Sequence, residues 1–203
     1  MMKNMGALFI AFLFLMPGLA SAQKIGLLPF EDATGTGEAF GEQVAKLIRS
    51  EFLKNQKITP KFITYKPKDE EEPAAIDVDT AIELGKKNGV EYVLMGTILE
   101  AEATSGSSGI GGITVAGQTI GTSLRTVKAT ITIQGDLISV SQGKLIGSFR
   151  ATGNKTDRSV GADLWTQWGS VNTDSAFDEN APTTKALREA AKILVNEVSK
   201  TLR

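Results

Sequence analysis

Lys24 to Phe30 (KIGLLPF) is a short, nearly continuous apolar run that ends in a stretch rich in Gly, Asp and Thr, the pattern of a buried strand followed by a loop. Beyond it Phe40, Val44, Leu47, Ile48 and Phe52 recur at helical spacing, which predicts an amphipathic helix over Ala39 to Asn55. Lys61 to Tyr65 reads as a second strand, and the charged, Pro-bounded stretch Lys66 to Pro73 as a solvated loop. Asp79 or Thr80 can cap a short helix running to Lys87, which Asn88-Gly89 ends. Val90 to Leu99 lacks polar alternation in its centre, as expected of a central strand covered on both faces. The order strand, helix, strand, helix, strand predicts right-handed crossovers and parallel pairing.

The period then changes to two. Val127, Ala129, Ile131 and Ile133 alternate with Lys128, Thr130, Thr132 and Gln134, so this segment is a half-buried strand. Ser141-Gln142-Gly143 is a turn, and Lys144 to Thr152 returns as the hairpin partner. Leu187, Ala190, Ala191, Leu194 and Val198 share one face of a last helix from about Thr183 to Leu202, with Pro182 near its start. The expected fold class is therefore α+β: a mixed sheet with three packed helices in the order β-α-β-α-β-β-β-α, built on one core.

Two segments do not fit that core. Residues 105–125 hold six of the 21 Gly, and residues 157–180 hold both Trp. Both are long against the roughly 4–6 residues typical of connections in compact domains. In the first, Ile113 and Val115 lie two apart, Gly117-Gln118 offers a turn, and Ile120, Thr122 and Leu124 alternate. In the second, Val160, Ala162, Leu164, Thr166 and Trp168 share a parity, Gly169-Ser170 can turn, and Val171, Thr173, Ser175 and Phe177 share another. Each can be drawn as a hairpin of membrane-spanning length, roughly 9–11 residues per strand, or as a flexible solvated loop; pattern alone leaves both open. Trp165 and Trp168 fit core packing or an interfacial anchor equally.

The start of the chain is an address. Lys3 precedes the apolar run Ala7 to Met16, Pro17-Gly18 breaks it, and Ala20-Ser21-Ala22 supplies the small residues of a cleavage site, so residues 1–22 read as a secretory signal peptide and 23–203 as the mature domain. The run is too short against the roughly 20 residues that cross a bilayer as a helix. Position 23 is Gln, where a lipoprotein would need Cys, so the expectation is a protein exported through the inner membrane without a lipid anchor.

Composition removes chemistry. The chain has no Cys and no His, which excludes disulfides, thiol nucleophiles, imidazole bases and the metal sites built on either residue. With 22 basic and 23 acidic residues, a net charge of -1 gives no nucleic-acid footprint. Gly35, Gly37 and Gly41 have the spacing GxGxxxG rather than that of a dinucleotide site, and Glu38 and Glu42 would repel a pyrophosphate. Asp174, Asp178 and Glu179 lack the register and Gly of a calcium loop. No cofactor, metal or catalytic residue is assigned, and the chain reads as a non-enzyme; a carboxylate-dependent hydrolase is the third and weakest class.

The segment Leu28-Pro29-Phe30-Glu31-Asp32-Ala33-Thr34-Gly35, the passage from Asn88 to Ile98, and the positions of the two insertions resemble the curli secretion channel family, CsgG. The strand-ProPhe-AspxThrGly start also resembles LpoB-type and TolB N-terminal periplasmic domains. The first resemblance implies a homo-oligomeric periplasmic ring whose two hairpins per subunit join in a shared outer-membrane barrel, assisting export or assembly of a surface polymer or filament. It implies that Ile113, Val115, Ile120, Leu124, Val160, Ala162, Leu164, Trp168 and Phe177 face lipid, and that Arg125, Asp163 and Gln167 face the lumen or an interface. The family's pore-lining loop between first strand and first helix is here only Glu31 to Glu38, with Phe40 its nearest aromatic, which implies a wider aperture or no pore. The second resemblance implies a soluble periplasmic module that binds a partner protein without a barrel.

Overall fold

The computed structural model describes residues 22–35, 38–55, 57–65, 76–115, 118–160 and 181–202. Its elements run β1 (Gln23–Asp32), α1 (Glu38–Phe52), β2 (Ile58–Phe62), α2 (Val78–Asn88), β3 (Tyr92–Val115), β4 (Gln118–Ser139), β5 (Lys144–Val160) and α3 (Pro182–Thr201). This is the α+β order expected from the periodicities. The strands form one sheet in the order β2-β1-β3-β4-β5. β1 pairs in parallel with β2 and β3, while β3, β4 and β5 form an antiparallel meander.

Neighbouring residues of one strand serve two different cores. Leu27, Leu94 and Leu137 pack under α1 and α3, whereas the adjacent Leu28, Val93 and Ile138 pack under α2. The expectation of a single core is thereby corrected. A strand buried on both faces must supply apolar side chains to each, which is why β1 reads as a run without alternation. The larger core draws Val44, Ile48 and Phe52 from α1 and Leu187, Leu194 and Val198 from α3, all fully or almost fully buried. The smaller draws Ala81 and Ile82 from α2 and includes Ile63, Val90 and Val140. Burying each large aliphatic side chain contributes roughly 1.5–3 kcal/mol before conformational entropy is charged.

Three local expectations shift. The second strand is Ile58–Phe62, not Lys61 to Tyr65; Pro60 is tolerated because β2 is an edge strand with one unpaired side. The cap of α2 is Asp77, not Asp79 or Thr80: its side chain accepts the Thr80 N–H at 2.7 Å. Gly89, in the left-handed region at φ 64°, ends that helix and returns its N–H to the carbonyls of Gly85 and Lys86. Finally β3 and β4 run far beyond the bounds read from periodicity, into the Ser- and Gly-rich segment 105–125, and β5 runs on past Thr152 to Val160.

Hydrogen bonds from the Thr80 side chain and then its backbone hold the Asp77 carboxyl below the ordinary carboxylate value. A depressed folded value means that the cap stabilises the helix above the unfolded value of about 4 and loses that effect as pH falls through the lower folded value. Asp77→Ala should lower the melting temperature at neutral pH, and Asp77→Asn, which keeps an acceptor, should lower it less. The gap between Asp77→Ala and the parent should narrow on acidification below about pH 4 in thermal melts followed by circular dichroism.

Candidate functional site

Four connections gather at one end of the sheet. Because β1 and β2 run parallel to β3, the β1–α1 and β2–α2 connections leave at the end where β3 continues outward. β3 and β4 project from that end as a ribbon, and β5 climbs beside them to Val160, where residues 161–180 begin. The β4–β5 turn, the start of β1 and the end of α3 lie at the opposite end, where the Gln23 side-chain amide donates to the Leu202 carbonyl at 2.9 Å.

The ribbon is continuous with the body. From Tyr92↔Ser139 to Val115↔Gln118 the β3–β4 ladder is interrupted by irregularities between Ile98 and Glu100 and between Ile110 and Ile113. β5 follows as the third strand as far as Leu124↔Val160, and beyond that row the described ribbon is two-stranded. Hairpin and loop were both open for the first insertion; its backbone is a hairpin. Gln118, expected in the turn, is instead paired with Val115, and Gly117, the other residue expected there, lies outside the described residues.

Register decides which residues share a face. In β4, Val127, Ala129, Ile131, Ile133 and Leu137 lie on the side that carries α1 and α3. The same parity continues outward through Arg125, Ser123, Gly121 and Thr119. The other parity holds Thr126, Lys128, Thr130, Thr132, Gln134 and Asp136 in the body, and Leu124, Thr122, Ile120 and Gln118 in the ribbon. Through the ladder, Ile113 is paired with Ile120, Val115 with Gln118, and Val160 with Leu124. So Ile113, Val115, Ile120, Leu124 and Val160 occupy positions of one parity and Arg125 the other. Ala162, Asp163, Leu164, Gln167, Trp168 and Phe177 lie outside the described residues.

The apolar parity of β4 thus changes sides between Leu124 and Val127. Inward of that point, the side without α1 and α3 is polar and knit across strands. Thr132 Oγ1 donates to Glu100 Oε2 at 2.8 Å and lies 3.0 Å from Thr152 Oγ1; Thr130 Oγ1 donates to Asn154 Oδ1 at 3.0 Å, and Ser148 Oγ to Asp136 Oδ1 at 2.5 Å. Such cross-strand pairs stabilise a sheet face by a few tenths of a kcal/mol to about 1 kcal/mol each, and Thr132, at the centre of this network, is itself buried.

Two features anchor the elements around the ribbon. The short first connection is folded on itself: Asp32 Oδ1 accepts both the N–H and the hydroxyl of Thr34, and the Ala33 N–H reaches the Ile98 carbonyl at 3.2 Å. Phe40, the aromatic nearest that connection, is 6% exposed and is spent on the larger core. The start of α3 is tied to β5 by ion pairs Lys185–Asp157 at 2.8 Å and Lys155–Glu189 at 3.1 Å. Both are substantially exposed, so each contributes at most about 1 kcal/mol. Among the described residues no group of three or more Asp or Glu side chains could hold a metal ion, and no helix is long and apolar enough to cross a membrane.

No curated protein sequence matches the chain at a significant level. Among solved structures it is similar to the hypothetical protein CT253 from Chlamydia trachomatis, at TM-score 0.53 and 12% identity, covering 90% of this chain and 98% of that one. That likeness supports the fold. It is also similar to the PelC dodecamer from Paraburkholderia phytofirmans, at TM-score 0.43 and 16% identity over 90% of this chain and 88% of that one. A third is the LpoB C-terminal domain from Escherichia coli, at TM-score 0.38 and 14% identity over 71% and 91%. The family model described as curli production assembly/transport component CsgG matches residues 68–203, which span β3, the ribbon, β5 and α3, and the chain belongs to that family.

Proposed function

We propose that this chain is an exported, ring-forming protein of a Gram-negative-type outer membrane that assists export or assembly of a surface polymer or filament. In this reading residues 1–22 are its signal peptide and the mature domain, from residue 23, stands in the periplasm. Residues 105–125 enter the membrane, and 157–180 supply the second pair of strands. Ile113, Val115, Ile120, Leu124, Val160, Ala162, Leu164, Trp168 and Phe177 then face lipid, while Arg125, Asp163 and Gln167 face the lumen or a neighbouring subunit.

The observation that carries this is the exchange of apolar and polar parity between Leu124 and Val127. A strand packed under helices needs its apolar residues on the helix side. Beyond the helices that need vanishes, and a solvated ribbon would have no apolar side at all. Here the apolar positions reappear on the opposite parity, as a strand requires when it passes from a protein core to a lipid-facing wall. Ser105–Val115 and Gln118–Val127 match the roughly 9–11 residues of a transmembrane strand. A lone ribbon in lipid would leave its edges unpaired, at several kcal/mol per orphaned backbone group, so the reading requires copies to close a barrel.

Cell fractionation should place the native protein with the outer membrane, and detergent extracts viewed in negative stain should show rings with central openings. Recovery as a soluble periplasmic monomer would overturn the proposal and leave the partner-binding periplasmic module in its place.

A further inference from the structure

On the side of the ribbon root that carries neither α1 nor α3, the rows that follow Leu124↔Val160 inward are Gly106, Thr126 and Arg158, then Thr104, Lys128 and Thr156. Arg158 and Lys128 are both exposed and sit on diagonal positions of adjacent strands, a separation of about 7–8 Å between backbones. Neither makes an ion pair among the described residues. The acids around them are engaged or further from the ribbon. Asp157 is on the opposite parity and bound to Lys185; Glu100 accepts the Thr132 hydroxyl; Glu102 pairs with Thr130, one row further into the body. The order along this face, moving inward, is apolar positions, two cations, then the acidic and hydroxyl rows.

We infer that Lys128 and Arg158 form a docking point for anionic lipid headgroups at the periplasmic surface of the membrane. The inference rests on the membrane reading of the ribbon. If the strands leave the hydrocarbon near Ser105 and Val127, the rows of Arg158 and Lys128 straddle that boundary, where long basic side chains keep their stems along the apolar side and their charge in the headgroup layer. Phosphate diesters are the anions at that depth. The charge order gives the placement a direction, because Glu102 and Glu100, one and two rows further in, would be repelled by the same surface. Two cations therefore fix the depth of the ribbon, not only its attachment.

Full-length protein diluted from detergent into preformed vesicles and separated by flotation tests this. One set of vesicles is phosphatidylcholine alone; the other is equimolar phosphatidylcholine and phosphatidylglycerol. Each cation near an anionic surface strengthens binding about fivefold, so the parent should prefer the anionic vesicles by roughly 20- to 30-fold at low salt, a preference that salt erodes. Lys128→Gln with Arg158→Gln should bind both vesicles as the parent binds phosphatidylcholine. Lys128→Arg with Arg158→Lys should keep the preference, as should Lys24→Gln with Lys144→Gln, which removes the same charge from the opposite end of the sheet. Undiminished preference in the first variant, with binding to phosphatidylcholine intact, overturns the docking point and leaves the membrane reading standing. Failure of the parent to float with either vesicle removes the membrane reading and this inference together.

Discussion

Replacing Ser107–Arg125 with an Asn-Gly turn is expected to abolish membrane retention while the helix-covered body stays folded. The two cores use no residue between Gly106 and Thr126, and those two are paired in the ladder, so a two-residue hairpin turn closes β3 onto β4 without a change of register. Membrane sedimentation should fall from most of the protein to the level of a soluble periplasmic marker, with the cooperative thermal transition preserved. Retention at the parent level would refute the membrane reading of the ribbon. Point substitutions separate the faces. Ile120→Arg, at a position of the proposed lipid-facing parity, should cost about 2–4 kcal/mol of insertion at mid-depth. Ser123→Arg, at the other parity, should be tolerated. Equal effects from the two would mean that register does not set which side meets lipid.

The element order was legible because each element has its own period, and those periods come from burial. α1 and α3 show helical stripes since one face of each lies on the sheet. β4 shows strict alternation from Val127 to Gln134 since α3 covers one side of that stretch, while on the other side α2 packs only further along, at Ile138. The misplacement of β2 has a local origin. Pro60 argues against a strand in its middle, and only the edge position, which a sequence does not display, makes it harmless. Asp77, Asp79 and Thr80 are all residue types that suit a cap, so the sequence does not single out Asp77, and the hydrogen bond from Thr80 decides among them.

The ribbon was half legible. The many Gly and Ser between Thr104 and Thr126 carry little intrinsic strand preference, so hairpin and loop fitted equally well. What makes it a hairpin is continuity: β3 and β4 leave the core already paired, and each further row costs less order than the first. The exchange of parity is present in the sequence as the step from Leu124 to Val127. It acquires meaning only when the register shows that Val127 lies on the helix side, and that requires knowing where α1 and α3 sit. The cations Lys128 and Arg158 were invisible as a pair for the same reason, being thirty residues apart in sequence and brought together by the rows Thr126↔Arg158 and Lys128↔Thr156.

Gly153→Ala should destabilise the protein by roughly 3 kcal/mol, against the direction that strand propensity predicts. A Cβ at this position of β5 would fall inside contact distance of the Ala186 carbonyl oxygen and 2.7 Å from the Ala190 N, both backbone atoms of α3 that cannot rotate away. At Gly135 the added methyl would meet Leu194 Cδ1 at 2.9 Å, a side chain free to adjust, so Gly135→Ala should cost nearer 1 kcal/mol. For a chain of this size the first change corresponds to a fall of about 6–12 °C in melting temperature and the second to a few degrees. Equal or negligible shifts would mean that α3 is not seated on β5 as described. The consequence reaches the ribbon through Lys185–Asp157 and Lys155–Glu189, which lie between Gly153 and the row of Arg158. If α3 must lift to admit the methyl, β5 loses the support that holds it beside β4 up to Val160. Gly153→Ala should then also reduce membrane retention of the intact chain, whereas Gly135→Ala, deeper in the body, should leave retention unchanged.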